Sequence, residues 1–363
     1  MNIIVISSQF IGNGGCSTLA YGLIKYLVNN NHKVLGLFVN PSKANVDPEN
    51  IGNVLLIKQK ISKWTCDEKL QTIISNFFGN MKNVNYVIYI DLSIEPLKLI
   101  LPDAKYIFLI SRSPLKYKHM TAVDVFNLSN HDDIIDTSSI DEINMTCADI
   151  IVPNSLLMKN MYNIVYPQYS HKLLNNVIDT SKYVYYLNSF NNKNTNINTE
   201  KTFDIILVSN RFDRKEKNFE HIFNILTDTI FDKFKKIIVG EINEKIIKFP
   251  ECDFTGFTSH DKVIENMYKS KILIVPSLCE SSGNVIREAL MCNTIPLISV
   301  NVGFNERFPP DFVCETFDAS EWKTKLLNLL NNYDELKNIL KNINLDTGYD
   351  ILDILYQKSI FTN

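Results

Sequence analysis

Signatures of metal and cofactor chemistry are missing from this chain of 363 residues. No Asp-x-Asp occurs, so the carboxylate pair that would hold a divalent cation against a diphosphate is absent. Nor is there the G-x-x-x-x-G-K-S/T loop of P-loop nucleotide enzymes, the H-E-x-x-H helix of zinc proteases or the G-x-S-x-G elbow of serine hydrolases. The seven cysteines are odd in number, scattered from Cys16 to Cys314 and never spaced as C-x-x-C. That pattern argues against a zinc site or a disulfide framework and fits thiols in a reducing compartment, so the expected location is cytoplasmic. Excess positive charge is lacking too. Lys and Arg number 37 against 40 Asp and Glu, and a net charge of -3 argues against a broad nucleic-acid-binding face. No run approaches the ~18 consecutive apolar residues of a membrane span, which leaves only peripheral membrane contact open. The start, Met1-Asn-Ile-Ile-Val-Ile-Ser, has no basic lead and is expected to be a first strand and not a signal peptide. Oligomeric state has no signal in the sequence.

What the chain does have is apolar material, 45% of its residues, in runs that alternate between strand and helix spacing. A length of this order suggests about two domains. Strands are expected at Ile3 to Ile6, Val34 to Val39, Val54 to Ile57, Val84 to Ile90, Tyr106 to Ile110 and the short run before Pro153. Helices are expected through Leu19 to Leu27, Trp64 to Phe78, Pro96 to Leu101 and Leu156 to Tyr162, the last capped by Ser155. Residues 188–201 are a polar run of Asn and Thr with almost no apolar anchor, and they separate two alternating halves. The second half is expected to hold strands at Phe203 to Val208, Phe234 to Val239, Ile272 to Val275 and Ile295 to Ile298. Between them come helices Phe219 to Ile230 and His260 to Ser270, and Tyr333 to Leu355 closes the chain as helix.

Chemistry concentrates in Ile272-Leu-Ile-Val-Pro-Ser-Leu-Cys-Glu280-Ser281-Ser282-Gly283-Asn284-Val285-Ile-Arg-Glu288-Ala-Leu-Met. A β-branched run stops at Pro276, a small polar loop follows, and Val285, Ala289 and Leu290 then take helical spacing. In a parallel sheet such a loop lies at the carboxyl end of its strand, where ligands bind. The helix start offers backbone N–H groups and a partial positive charge to an anion, most simply a phosphate. Glu280 in the loop and Glu288 one to two turns into the helix, at ~1.5 Å rise per residue, are placed to accept hydrogen bonds from sugar hydroxyls at two depths of one ligand. An amphipathic helix with an acidic residue near its start is the plainer account of any two glutamates eight apart; the flanking Ser-Ser-Gly-Asn and Glu-Ala-Leu set this pair apart.

This Glu-x7-Glu setting resembles the retaining family-4 glycosyltransferases of the GT-B fold, over nearly the whole chain and most closely over residues 203–306. The resemblance implies an α/β protein of two Rossmann-like, doubly wound parallel-sheet domains facing across a cleft. Residues 1–187 would form the acceptor-side domain, 188–201 the linker, 202–332 the nucleotide-sugar-binding domain, and 333–363 a helical segment crossing back to the first domain. It also implies partners, a nucleoside-diphosphate-sugar donor and a hydroxyl acceptor (glycan, lipid or small molecule), with no nucleic acid, no cofactor and no metal. Configuration at the anomeric carbon would be retained.

Residue by residue, the resemblance gives Glu280 the donor sugar and Glu288 the ribose, with Ser281, Ser282, Gly283, Asn284 and Val285 lining the donor at the helix start. Ser209-Asn-Arg211-Phe-Asp-Arg214-Lys-Glu-Lys217-Asn218 matches the segment whose Arg and Lys clamp the diphosphate, although it is one residue longer than the commonest form. Gly240, Gly256 and Phe257 match the turns that receive the base. In the first half, Gly12-Asn-Gly14-Gly15-Cys-Ser17 resembles the glycine turn near the acceptor and donor phosphates. A dinucleotide site would need a third glycine where Ser17 stands and an acid where Asn40 ends the second strand. After Ile110, relatives hold a histidine where this chain has Ser111-Arg112, and Arg112, a forked donor suited to anions, is as readily a surface charge. A GT-B module that binds sugar-nucleotide or glycan with little turnover, or an enzyme like the sugar-nucleotide 2-epimerases, is the alternative. The scarcity of histidine, six in the chain, weighs against the latter.

Overall fold

The computed structural model describes residues 1–8, 15–39, 54–57, 59, 64–111, 114, 139–180, 200–241, 251–344 and 348–356. The chain divides into two compact units. The first is Met1–Pro114 with Asp136–Lys193 and Asp346–Asn363, and the second is Leu115–Ile135 with Asn194–Leu345.

Among the described residues the first unit holds six strands, β1 (Asn2–Ser7), β2 (Lys33–Val39), β3 (Val54–Ile57), β4 (Tyr86–Tyr89), β5 (Lys105–Ile110) and β6 (Ile150–Pro153), in the order β3-β2-β1-β4-β5-β6. The second holds β7 (Phe203–Arg211), β8 (Lys236–Glu241), β9 (Cys252–Gly256), β10 (Ser270–Val275), β11 (Ile295–Ser299) and β12 (Val313–Cys314), in the order β12-β11-β10-β7-β8-β9. All these pairings are parallel. Counted within each unit, both orders are 3-2-1-4-5-6, the doubly wound arrangement. Parallel strands covered on both faces need apolar residues at consecutive positions, not alternate ones. Ile3, Ile4, Val5 and Ile6 in β1 and Ile272, Leu273, Ile274 and Val275 in β10 are accordingly all buried.

Several element limits depart from the sequence pattern for local reasons. The helix expected from Trp64 begins at Glu68, because Asp67 accepts the Leu70 N–H at 2.9 Å as its cap, while the Trp64 indole donates to Ser93 O. The helix at Phe219 ends at Leu226, and Asp228 starts a separate 3₁₀ turn, Thr229–Phe231. The span Tyr333 to Leu355 is not one helix. It breaks into Tyr333–Leu336, a 3₁₀ turn at Ile339–Asn342, and Ile351–Leu355 capped by Asp350. Asn338, Asn342, Asn344 and Gly348 supply weak helix formers at each interruption. Ser155 does cap Leu156–Val165, accepting from Met158 N–H at 3.3 Å.

The last described helix completes the first unit. Ile351, Ile354 and Leu355 lie in one core cluster with Ile3, Val5, Leu23, Leu27 and Val34. Tyr26 Oη donates to Asp350 Oδ2 at 2.5 Å, and Tyr86 Oη to Leu355 O at 2.8 Å. Ile354→Ala, at a side chain 1% exposed, is expected to destabilise the first unit by about 2–5 kcal/mol. Hydrogen exchange of the β1 amides, compared with those of β10, measures the loss and shows which unit bears it.

Candidate functional site

In each sheet the strand order reverses between two neighbours, β1 and β4 in the first unit, β7 and β10 in the second. Connections leave such strands toward opposite faces, and the crevice outside their carboxyl ends is where open α/β sheets bind ligands. The residues that follow β7 and β10 are those carrying Lys217 and Glu280.

The backbone of β7 is bulged between Val208 and Arg211. Ser209 Oγ ties the bulge by donating to Arg211 O at 2.8 Å, and its carbonyl presses on the next strand. A Cβ on Gly240, whose φ is +137°, would lie 1.6 Å from Ser209 O, so only glycine fits. Beyond the bulge, Lys215–Lys217 form a 3₁₀ turn that stops at Asn218 in the left-handed region (φ +54°). Asparagine is among the few non-glycine residues that adopt this conformation readily.

The loop after β10 is anchored at several points. Leu278 N–H donates to Glu216 O at 2.8 Å, joining it to the 3₁₀ turn. Glu280 N–H donates to Asn301 O at 3.0 Å, and Gly303 N–H donates to Glu280 O at 2.8 Å, a parallel bridge to the segment after β11. Held in this way, Glu280 accepts a hydrogen bond from Lys217 Nζ through Oε2. The helix that follows, Asn284–Met291, starts from Gly283 in the left-handed region with no side-chain cap and no acidic residue in its first turn. Ser281 and Ser282 precede it and are half-buried, and Asn284 and Val285 open it.

Glu288 lies deeper than Glu280, with 8% of its side chain exposed against 19%. His260, first residue of the helix His260–Tyr268, places Nε2 at 3.8 Å from Glu288 Oε1. That is beyond hydrogen-bonding reach. Burial lowers the His260 pKa below its ordinary 6.5, so the ring is neutral at pH 7 and the contact is not a salt bridge. Arg287, also buried, lays its guanidinium 4.7 Å from the centre of the Phe304 ring.

Arg211 has a different partner. Its guanidinium forks onto Asp213, Nε to Oδ1 at 3.0 Å and a terminal nitrogen to Oδ2 at 2.6 Å, with 61% of the side chain exposed. That hydrogen bond holds the Asp213 carboxyl below its usual range. Arg214 is paired with Glu216. Gly240, near the end of β8, and Gly256, closing β9 with φ +65°, stand on adjacent strands, and Phe257 beyond them is 70% exposed.

In the first unit, Gly15 begins the helix Gly15–Asn29 after β1, while Gly14 and Arg112 lie outside the described residues. Ser111 is half-buried at the end of β5. The sequence pattern passed over Asp91. At the reversal point it accepts from Ser7 Oγ (2.9 Å), Ser8 N–H (2.8 Å) and Ser8 Oγ (2.6 Å). An acid directly after a buried strand was the available signal. His260 was passed over as well; its nearness to Glu288 follows from the packing of helix 260–268 on helix 284–291, which spacing does not reveal. Among the described residues, no group of three or more His, Cys, Asp or Glu side chains is clustered to hold a metal ion. None of their helices is long and apolar enough to cross a membrane.

Solved structures align with the chain end to end. HepE of Anabaena, solved in complex with UDP and glucose, aligns with a TM-score of 0.61 at 14% identity, covering 99% of this chain and 98% of that one. A glycosyltransferase from Rickettsia africae gives 0.65 at 14% identity over 100% and 99%, and sucrose-phosphate synthase of Thermosynechococcus elongatus 0.61 at 14% over 99% and 97%. The fold is GT-B. Within this GT-B chain, residues 189–345 match the family described as Glycosyl transferases group 1, which supports a glycosyltransferase. No curated protein matches the sequence significantly.

Gly240→Ala is expected to lose at least the ~1–3 kcal/mol of a residue forced into a sparsely populated conformation, with further loss from the carbonyl clash. A lowered urea midpoint for the second unit checks it. His260 also predicts a pH dependence. Its folded pKa lies below the unfolded value, so its contribution is full above about pH 6.5 and is lost as pH falls through that value. The urea midpoint of wild type is expected to drop between pH 7.5 and 5.5 more steeply than that of His260→Gln.

Proposed function

We propose that the chain is a retaining, metal-independent glycosyltransferase that moves a sugar from a nucleoside-diphosphate donor to a hydroxyl acceptor. The observation that carries this reading is the sequence of chemistries along the carboxyl edge of the second sheet. In the order β10, β7, β8, β9 stand the carboxylate of Glu280, the ammonium of Lys217, the glycine at 240, and Gly256 with the exposed ring of Phe257. At ~4.8 Å per strand this row spans about 14 Å. A ligand with a hydroxylated ring, a diphosphate and a base in line suits it. HepE, with the same fold, is described in complex with UDP-glucose, which supports a donor of this class.

In this reading Glu280 accepts hydrogen bonds from the donor sugar and Glu288 from the ribose. Lys217, Arg211 and the amides at Ser282 to Asn284 take the charge that develops on the leaving diphosphate. Gly14, Gly15 and Arg112 serve the acceptor side. The acceptor oxygen bonds to the anomeric carbon as the bond from that carbon to phosphate oxygen breaks, and the departing phosphate receives the acceptor's proton. Cys66, Cys147, Cys252, Cys292 and Cys314 are thiols, in keeping with a cytoplasmic location.

Lys217→Ala and Glu288→Ala are each expected to reduce transfer by ~10²-fold or more, the usual cost of removing a group aimed at developing charge or at substrate, while the far-ultraviolet spectrum stays that of wild type. Wild-type turnover in either variant refutes the assignment. The anomeric proton coupling of the product, read by NMR, tests retention, and activity unchanged by EDTA tests independence from metal.

A further inference from the structure

The reading above gives Lys217 to the diphosphate and Glu280 to the sugar, yet in the structure their charged atoms bond each other. Both side chains are largely shielded, 23% and 19% exposed, so water and salt screen the pair less than a surface one. Its geometry comes from the backbone. The Leu278–Glu216 bond closes the two loops, and the anchors to Asn301 and Gly303 fix the Glu280 main chain independently of its side chain. A diphosphate that engages the ammonium competes with the Glu280 carboxylate for its charge.

We propose that Glu280, through its ion pair with Lys217, is the residue by which the chain discriminates a sugar-nucleotide from a free nucleoside diphosphate. This rests on the donor assignment above and adds a selection step to it. When a nucleoside-diphosphate-sugar binds, the diphosphate takes over the ammonium, and the released carboxylate accepts hydrogen bonds from the sugar hydroxyls. Every charged group then has a partner. A free nucleoside diphosphate also takes Lys217, but it brings no hydroxyl to that end, and its terminal phosphate stands beside an unpartnered carboxylate. Like charges at close range in a shielded site are costly, as is an ion stripped of its counter-ion. The same penalty weakens the hold on the nucleoside diphosphate left after transfer and favours its release.

Isothermal titration of wild type, Glu280→Gln and Glu280→Asp with UDP and UDP-glucose, ADP and ADP-glucose, and GDP and GDP-mannose tests this. Wild type is expected to bind one sugar-nucleotide more tightly than its matching diphosphate. Glu280→Gln, which keeps the shape and removes the charge, is expected to bind that diphosphate at least tenfold more tightly than wild type and to narrow the gap between the two ligands. Glu280→Asp keeps the charge and is expected to preserve the wild-type order. If Glu280→Gln binds the diphosphate no more tightly than wild type, the discrimination role is overturned while the donor assignment stands. If wild type binds none of the six nucleotides, the donor assignment fails, and this inference with it.

Discussion

One backbone hydrogen bond, from Leu278 N–H to Glu216 O at 2.8 Å, joins the loops that leave β7 and β10. Those strands are neighbours, but their connections run to opposite faces of the sheet, so the loops would otherwise diverge. The bond brings the turn with Lys217 against the loop with Glu280. It places opposite charges together beyond the carboxyl ends of buried parallel strands. Partial shielding there makes each charge count for more than it would in water.

The platform beneath is stiff for ordinary reasons. Consecutive buried Ile, Leu and Val residues along β7, β8, β10 and β11 are close-packed on both faces of the sheet, which leaves little room for a strand to move. Thr294 Oγ1 donates to Met267 O at 2.6 Å, and Ser299 Oγ to Ser277 O at 2.5 Å, so the strand before and after the site is fixed by its own hydroxyls. Lys201 enters from the start of the second half and donates to Cys292 O at 2.9 Å, at the carboxyl end of the helix that carries Glu288. A cation there complements the helix dipole. Loops mounted on such a frame can be short and still place side chains reproducibly.

Much of this was legible in the residues. Strand composition and the Asn-rich run at 188–201 implied two alternating halves, and the parallel sheets match the composition because each buried strand is apolar throughout and not alternately. Glu280, Glu288 and Lys217 stood out by their positions after strands or within a helix start, which is local information. What spacing cannot carry is which loops meet. The partner of Arg211 proved to be Asp213, two residues on, and the neighbour of Glu288 proved to be His260, 28 positions earlier in the chain. Helix ends were misjudged where a side chain outcompeted the periodic pattern, as Asp67 and Asp228 do by capping.

The most telling departures from easy local choices also sit beside the site. After β11 the chain has Gly303-Phe304, and Phe304 adopts φ +74°. A left-handed aromatic residue costs ~1–2 kcal/mol, offset here by burial of the ring and by the Arg287 guanidinium over it. Asn301 and Ser277 are buried, and their side-chain polar atoms have no hydrogen-bond partner among the described residues. Each orphaned group costs on the order of 1–3 kcal/mol, more than a typical surface residue contributes. Gly240 admits a carbonyl where any Cβ would collide. These features gather at the carboxyl ends of β7, β8, β10 and β11, around the Lys217–Glu280 contact. Stability forgone in one place and made up by the apolar sheet behind it is the pattern expected where position of a charge matters more than its energy.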